Sequence, residues 1–248
     1  MKKIRLDKFL CETGAAVSRS QAKKFILKGY VIVNGKVVRD PSFKVDESDE
    51  VFFENEILSL APENIYIILN KPPGYVSSTS DPNNPTVINL LSGAQKVEKL
   101  FPVGRLDKDV RGLLLITNDG QLAHKLTHPK YKVEKEYLVV VEGKVKKEDL
   151  EKILKGIEHF DKRKKKKIVY KPKEVKILKE DEKETVLSLI LTEGKYHEIK
   201  NIFKSLNYKI KDIKRIRFGP IKLESLPEGK WRYLSEDEVK LLKEAVKK

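Results

Sequence analysis

Residues 113–116 read Leu-Leu-Leu-Ile, and Asn118-Asp119-Gly120 close the run. An apolar stretch of that length, bounded by turn residues, is of buried-strand type and marks a core around which the chain must be organised. Phe101-Pro-Val-Gly-Arg-Leu-Asp107 leads into it, so a carboxylate, Asp107, and two arginines, Arg105 and Arg111, fall on a loop at the mouth of a rigid element. Reactive groups tend to be held in such places. Taken alone, the loop also permits a plainer reading in which Asp107 caps a turn and the arginines are solvated.

The 248 residues allow one large or two smaller domains. With no window of about 18 apolar residues and no apolar core in the opening Met1-Lys-Lys-Ile-Arg-Leu-Asp-Lys, the expectation is a cytoplasmic protein without membrane contact. A single cysteine, Cys11, and only four histidines argue against a disulfide framework and a metal site. The formal charge of +15 points instead to a polyanionic partner. Without a basic amphipathic helix bearing a Trp/Phe/Leu face, nucleic acid is favoured over an anionic membrane.

Residues 1–60 read as one unit. Ile4, Leu6, Phe9 and Leu10 recur at helical spacing up to Gly14. Ser18 is placed to cap a second helix over 19–28, closed by Gly29, and Asn34-Gly35 predicts a hairpin between Val31–Val33 and Val37-Val38. Ten Lys/Arg stand against two acids in residues 1–39, whereas one Lys stands against seven acids in 40–60. A helix pair with one basic face suits a phosphate backbone, although a merely solvated surface remains open.

Residues 61–248 form the second domain, with 56–64 as linker. Strands are expected at 65–69, 134–141, 185–192 and 213–218, and helices at 87–91, 121–127, 150–156 and after Gly194. A last helix follows Ser235, with Glu238 completing a capping box. In Asn70-Lys-Pro-Pro-Gly-Tyr75 the prolines fix the chain direction and leave Lys71 available. Asp161 precedes six consecutive cations, 162–167, read as a further phosphate contact. Trp231 is read as a packing residue. The whole predicts an α+β protein whose larger domain is a mixed, mostly antiparallel β-sheet with flanking helices.

Arg5-Leu-Asp-Lys-Phe-Leu, Gly14, Ser18-Arg19, Ala22, Ile26 and Gly29-Tyr-Val-Ile-Val-Asn-Gly35 resemble the S4 (α-L) RNA-binding domain. That resemblance implies RNA contacts at Arg5, Ser18, Arg19 and Lys23. Asn70-Lys-Pro-Pro-Gly74, Gly104-Arg-Leu-Asp107, Lys135-Glu-Tyr137 and Glu193-Gly-Lys-Tyr-His-Glu-Ile-Lys200 resemble, in this order, the RsuA-type pseudouridine synthase family. It implies an enzyme that needs no cofactor or metal, breaks the N1–C1′ bond of a uridine in RNA, turns the uracil and rejoins it through C5. By resemblance Asp107 is the essential carboxylate, acting as a nucleophile or by removing a proton from C2′. Lys200 is then its basic partner, Tyr137 stacks on the target base, Ile199 closes the pocket, and Arg105 helps extrude the uridine. His197 has a positional role in this reading, with general-base work as the lesser alternative. Lys71, Arg111, Lys164 and Lys165 are expected to add RNA contacts.

The Gly-Lys-Tyr-His-Glu-Ile-Lys segment is more similar to the small-subunit rRNA enzyme than to its large-subunit relatives, although Glu198 stands where glutamine is common. The expected partner is therefore 16S rRNA or a small-subunit assembly intermediate, engaged by a monomer. The alternatives are the same chemistry on 23S rRNA and a non-catalytic S4-type RNA-binding protein of ribosome assembly.

Overall fold

A computed structural model describes residues 3–46, 48–58, 64–161 and 165–247. The chain divides into two compact units, Met1–Asn64 and Ile65–Lys248.

In the first unit, α1 (Leu6–Glu12) and α2 (Arg19–Lys28) lay Leu6, Phe9, Leu10, Ala22 and Ile26 against Val31, Val33, Val45 and Val51. Ser18 Oγ accepts from the Gln21 amide, and Gly29 ends α2 in the left-handed region at φ 81°. Ile4 does not belong to the first helix as its spacing suggested. Arg5 has extended backbone, so Ile4 pairs with Val45 as a short strand. Asn34 and Gly35 both have positive φ, as a two-residue hairpin between right-twisted strands requires. They join β1 (Val31–Val33) to β2 (Lys36–Val37). With β3 (Val51–Phe53) and β4 (Glu56–Leu58) these make a four-stranded sheet in the order β2-β1-β3-β4.

The Asp7 side chain is wholly buried in this unit, and its carboxylate accepts from Arg5 at 3.1 Å and Arg19 at 3.0 Å. Burial alone would push the Asp7 carboxyl up. The two guanidinium bonds outweigh that and hold it below the ordinary carboxylate value. One acid thus ties the chain before α1 to the start of α2.

The second unit is built on β5 (Tyr66–Lys71), β6 (Arg111–Thr117), α3 (Gly120–Thr127), β7 (Lys135–Glu142), α4 (Lys147–Lys155), β8 (Ile157–Asp161) and β9 (Lys166–Tyr170). It continues through β10 (Glu174–Glu180), β11 (Glu184–Leu191), α5 (Glu198–Ser205), β12 (Ile210–Phe218), β13 (Trp231–Tyr233) and α6 (Glu236–Glu244). The main sheet runs β10-β11-β7-β12-β6-β5-β13, and β8 and β9 form a separate hairpin. Within the sheet β12 and β6 are parallel, while the other recorded pairings are antiparallel. The α+β architecture with a mixed, mostly antiparallel sheet is the one expected.

Both faces of the sheet centre are covered. Ile67, Leu69, Leu114 and Ile116 face one core, which α4 and α5 supply with Ile153, Ile202 and Phe203. Tyr66, Ile68, Leu113 and Leu115 face the other, with Leu122 and Leu126 of α3 and Leu242 of α6. Alternating side chains of a strand go to opposite faces, so a strand apolar at every position must lie between two layers. Each fully buried Leu or Ile contributes about 2 kcal/mol of transfer free energy. Ser235 caps α6 with Glu238 reciprocating, as its spacing predicted, and Trp231 is half-buried against the first core. No helix among the described residues is long and apolar enough to cross a membrane.

The parallel pairing of β6 with β12 requires Gly112. Its φ is 108°, and a Cβ there would stand 2.2 Å from the Arg215 carbonyl oxygen. Only glycine lets the two backbones approach at the point where the Asp107 loop enters the sheet.

Candidate active site

Asp107 lies on the loop between the short strand Phe101–Pro102 and β6. Leu106 and Val110 on either side of it are buried and anchor the loop in the core, leaving Asp107 one-third exposed between them. The backbone is held from below. Ser77 Oγ accepts from the Leu106 amide at 3.0 Å and donates to the Leu106 carbonyl at 2.9 Å. Gly74 N–H donates to the Lys108 carbonyl at 2.8 Å. Lys71 Nζ donates to three carbonyls, Val110 at 2.7 Å, Pro72 at 3.0 Å and Lys108 at 3.2 Å.

These bonds correct the expectation for Lys71. Its side chain is fully buried, and burial pushes the ammonium down to about 8. Lys71 fastens the Asp107 loop and has no free face for a phosphate. Arg111 is corrected in the same sense. Its Nε and Nη2 lie 2.9 and 2.6 Å from Asp212, one strand away, and Nη1 is 3.4 Å from Glu228. A bidentate pair of this kind clamps β6 to β12 rather than waiting for RNA. Arg105 is exposed and lines the cavity beside Asp107. Lys165 is an exposed turn residue of the β8–β9 hairpin, and Lys164 lies outside the described residues.

The other walls come from β7 and α5. Lys135, Tyr137, Val139 and Val141 alternate inward along β7, so Tyr137 reaches the cavity floor. On α5, Ile199, Ile202 and Phe203 form the buried stripe, and Lys200 projects beside it towards Asp107. Lys200 Nζ is 2.9 Å from Asp107 Oδ2 and 2.6 Å from Asp109 Oδ1. Burial opposes the Lys200 charge, but bonds to Asp109 and Asp107 outweigh it and raise the ammonium above its ordinary value. His197 Nε2 stands 3.5 Å from the same Asp107 oxygen. Together with Glu198 and Ile199 these groups enclose a cavity of about 100 Å³.

Beneath this floor the interior is cationic. Arg215, fully buried, donates to the Leu113 carbonyl at 2.7 Å, and its Nη1 lies 3.5 Å from the Tyr137 hydroxyl. The Lys135 ammonium donates to the Val133 carbonyl at 2.9 Å. Burial, with Arg215 adding repulsion, lowers it to about 8. Glu198 is buried too, and desolvation raises its carboxyl although the Lys195 amide donates to it at 3.1 Å. The sequence points to no role for Ser77, Asp109 or Arg215, and it marks Lys135 only as the first residue of the Lys135-Glu-Tyr137 motif. The inward position of Arg215 next to Ile213 on a two-residue period is the one signal that could have found it.

Asp107, Arg105, Tyr137, Ile199 and Lys200, drawn from three separate segments of the chain, therefore line one cavity. Arg5, Ser18, Arg19 and Lys23 lie together at the helices of the first unit, all exposed. A carboxylate between a fixed cation and an imidazole can act as a nucleophile or a base.

A family model described as the S4 domain matches residues 4–51, and one described as RNA pseudouridylate synthase matches residues 65–205. A protein named "Uncharacterized RNA pseudouridine synthase" from Aquifex aeolicus is 41% identical over 248 residues, covering 98% of each chain. The protein named "Ribosomal small subunit pseudouridine synthase A" is 40% identical in Vibrio parahaemolyticus and 35% in Escherichia coli, each over 95% of this chain and 98% of its own length. A solved structure described as "Crystal structure of pseudouridylate synthase" superposes with a TM-score of 0.65 at 35% identity, covering 96% of this chain and 99% of that one.

Proposed function

This chain belongs to the RNA pseudouridylate synthase family and isomerises uridine to pseudouridine in RNA; we propose that its substrate is small-subunit (16S) ribosomal RNA and that Asp107 is the catalytic carboxylate. The observation that carries the second point is the contact of Lys200 with Asp107 at 2.9 Å inside a cavity floored by Tyr137 and walled by Ile199. Two relatives, matched over 95% of this chain and 98% of their own length, carry the small-subunit name, which supports the first.

In this reading a uridine is unstacked from the RNA, with Arg105 at the rim helping to displace it, because a stacked base cannot reach the carboxylate. The uracil ring lies on Tyr137, and Ile199 closes over it. Asp107 then either forms a bond to the sugar or base, or takes the C2′ proton, and the N1–C1′ bond breaks. The freed uracilate is held over an interior that contains Lys135 and Arg215, and a buried cation stabilises such an anion strongly. Arg5, Ser18, Arg19 and Lys23 supply phosphate and sugar contacts. The enzyme acts as a monomer on free 16S rRNA or on an assembly intermediate.

The substrate assignment is tested by mapping pseudouridine at single-nucleotide resolution in 16S and 23S rRNA from cells with and without the gene. Loss of one site in 16S is expected. Loss confined to 23S would transfer the same chemistry to the large subunit.

A further inference from the structure

The reaction contains a proton transfer that the Asp107–Lys200 pair leaves unassigned. When C5 of the turned uracil bonds to C1′, that carbon carries both the sugar and its original hydrogen, and N1 is doubly bonded to C6. Pseudouridine forms when the C5–H bond breaks. Its electron pair becomes the C5=C6 bond, the N1=C6 π pair moves to N1, and N1 takes up a proton. A base must receive the C5 proton.

We propose that His197 is that base. C5 is one bond from C1′, and Asp107 engages the sugar or base around C1′, so the C5 proton departs close to Asp107. His197 Nε2 is 3.5 Å from Asp107 Oδ2, so the imidazole faces the same reacting region as that carboxylate. Apart from Asp107 itself, the other polar side chains lining this cavity are cationic or engaged, with Arg105 and Lys195 among the cations. Lys200 is a cation held by two carboxylates, Glu198 accepts the Lys195 amide, and the Tyr137 hydroxyl faces the Arg215 guanidinium. A neutral imidazole nitrogen has a lone pair to accept a proton, whereas a charged ammonium has none. The imidazolium formed is stabilised by the Asp107 carboxylate beside it, and it passes its proton to water.

The ring is built into place. His197 sits at the N-terminus of α5 with φ 49°, a left-handed conformation uncommon for a side-chain-bearing residue. Its imidazole stacks on Tyr196, with ring centres 3.7 Å apart and planes within 19°. The Tyr196 carbonyl in turn accepts from Tyr170 Oη at 3.4 Å and from Asn201 Nδ2 at 3.3 Å. Strained backbone at a mouth of this kind persists because several contacts fix it.

The inference rests on the proposed Asp107 chemistry, and the test separates the two. His197→Gly suits the left-handed backbone and leaves a ring-sized gap against Tyr196. Wild type and variant are assayed for pseudouridine on 16S rRNA made with ordinary or 5-²H-uridine, with and without added imidazole. The variant is expected to turn over about 10²-fold or more slowly. It should show a primary deuterium isotope effect that wild type lacks or shows weakly, and it should recover with imidazole. His197→Asn, which also tolerates this backbone, should show the same isotope effect and confirms the result should the glycine variant fold poorly. Wild-type turnover in the variants overturns the proposal. So does slow turnover without an isotope effect or imidazole rescue, which would mark His197 as a positioning residue for Asp107. If wild type itself forms no pseudouridine, the proposed function fails instead.

Discussion

Lys71 Nζ lies 2.7 Å from the Val110 carbonyl, three residues beyond Asp107, and the same nitrogen reaches the Lys108 carbonyl on the nearer side. A buried ammonium thereby fixes the backbone on which the Asp107 carboxylate stands, without touching the carboxylate.

Lys71→Met should therefore reduce turnover more than RNA binding. It leaves buried carbonyls without a donor, and a shift of about 1 Å at the carboxylate is enough for about a 10²-fold loss in kcat. Single-turnover kinetics alongside a binding titration checks this. Equal losses in both would return Lys71 to the RNA-contacting role its sequence position suggested.

Lys71 and Lys135 also predict a pH dependence of stability. Burial lowers both ammonium groups to about 8 in the folded chain, whereas an exposed lysine titrates near 10.4. Below pH 8 both states carry the protons and the folded state bears the full cost of the buried charges. Between about pH 8 and 10.4 the unfolded chain binds more protons, so stability from these groups rises with pH and then levels off. Urea unfolding of wild type and Lys135→Met across that window should show the rise diminished in the variant. Parallel curves would contradict the buried-cation account.

Salt should weaken RNA binding steeply, the logarithm of affinity falling by about 0.7 per contacted phosphate for each tenfold rise in salt on single-stranded segments. Lys23→Ala, at an exposed position on α2, should lower affinity and make the slope shallower by about one contact. Arg5→Ala should in addition destabilise the first unit, because Arg5 also satisfies the buried Asp7. A slope unchanged in Lys23→Ala would remove that residue from the RNA face.

Much of the fold was legible because local rules and tertiary structure agree. The Ser18 cap, the Asn34-Gly35 hairpin and the Ser235–Glu238 box are satisfied within a few residues of chain. The Leu113–Ile116 strand was legible because its two faces meet two cores. The behaviour of the cations was not. Lys71 looks free beside two prolines, and the return of the loop at Lys108–Val110 adds two distant carbonyls to that of Pro72 around it. Arg111 looks solvent-facing until the parallel pairing across Gly112 sets Asp212 beside it. Ser77 and Arg215 act through bonds to backbone far away in sequence, and spacing carries no record of those.

In the proposed mechanism Asp107 performs the chemistry and does not merely shape the loop. Tritium release from 16S rRNA labelled with 5-³H-uridine, measured for wild type and Asp107→Asn together with their RNA affinities, tests it most directly. Release by wild type, none by the variant and nearly equal affinities are the predicted result. Release by the variant at a rate near wild type would contradict it.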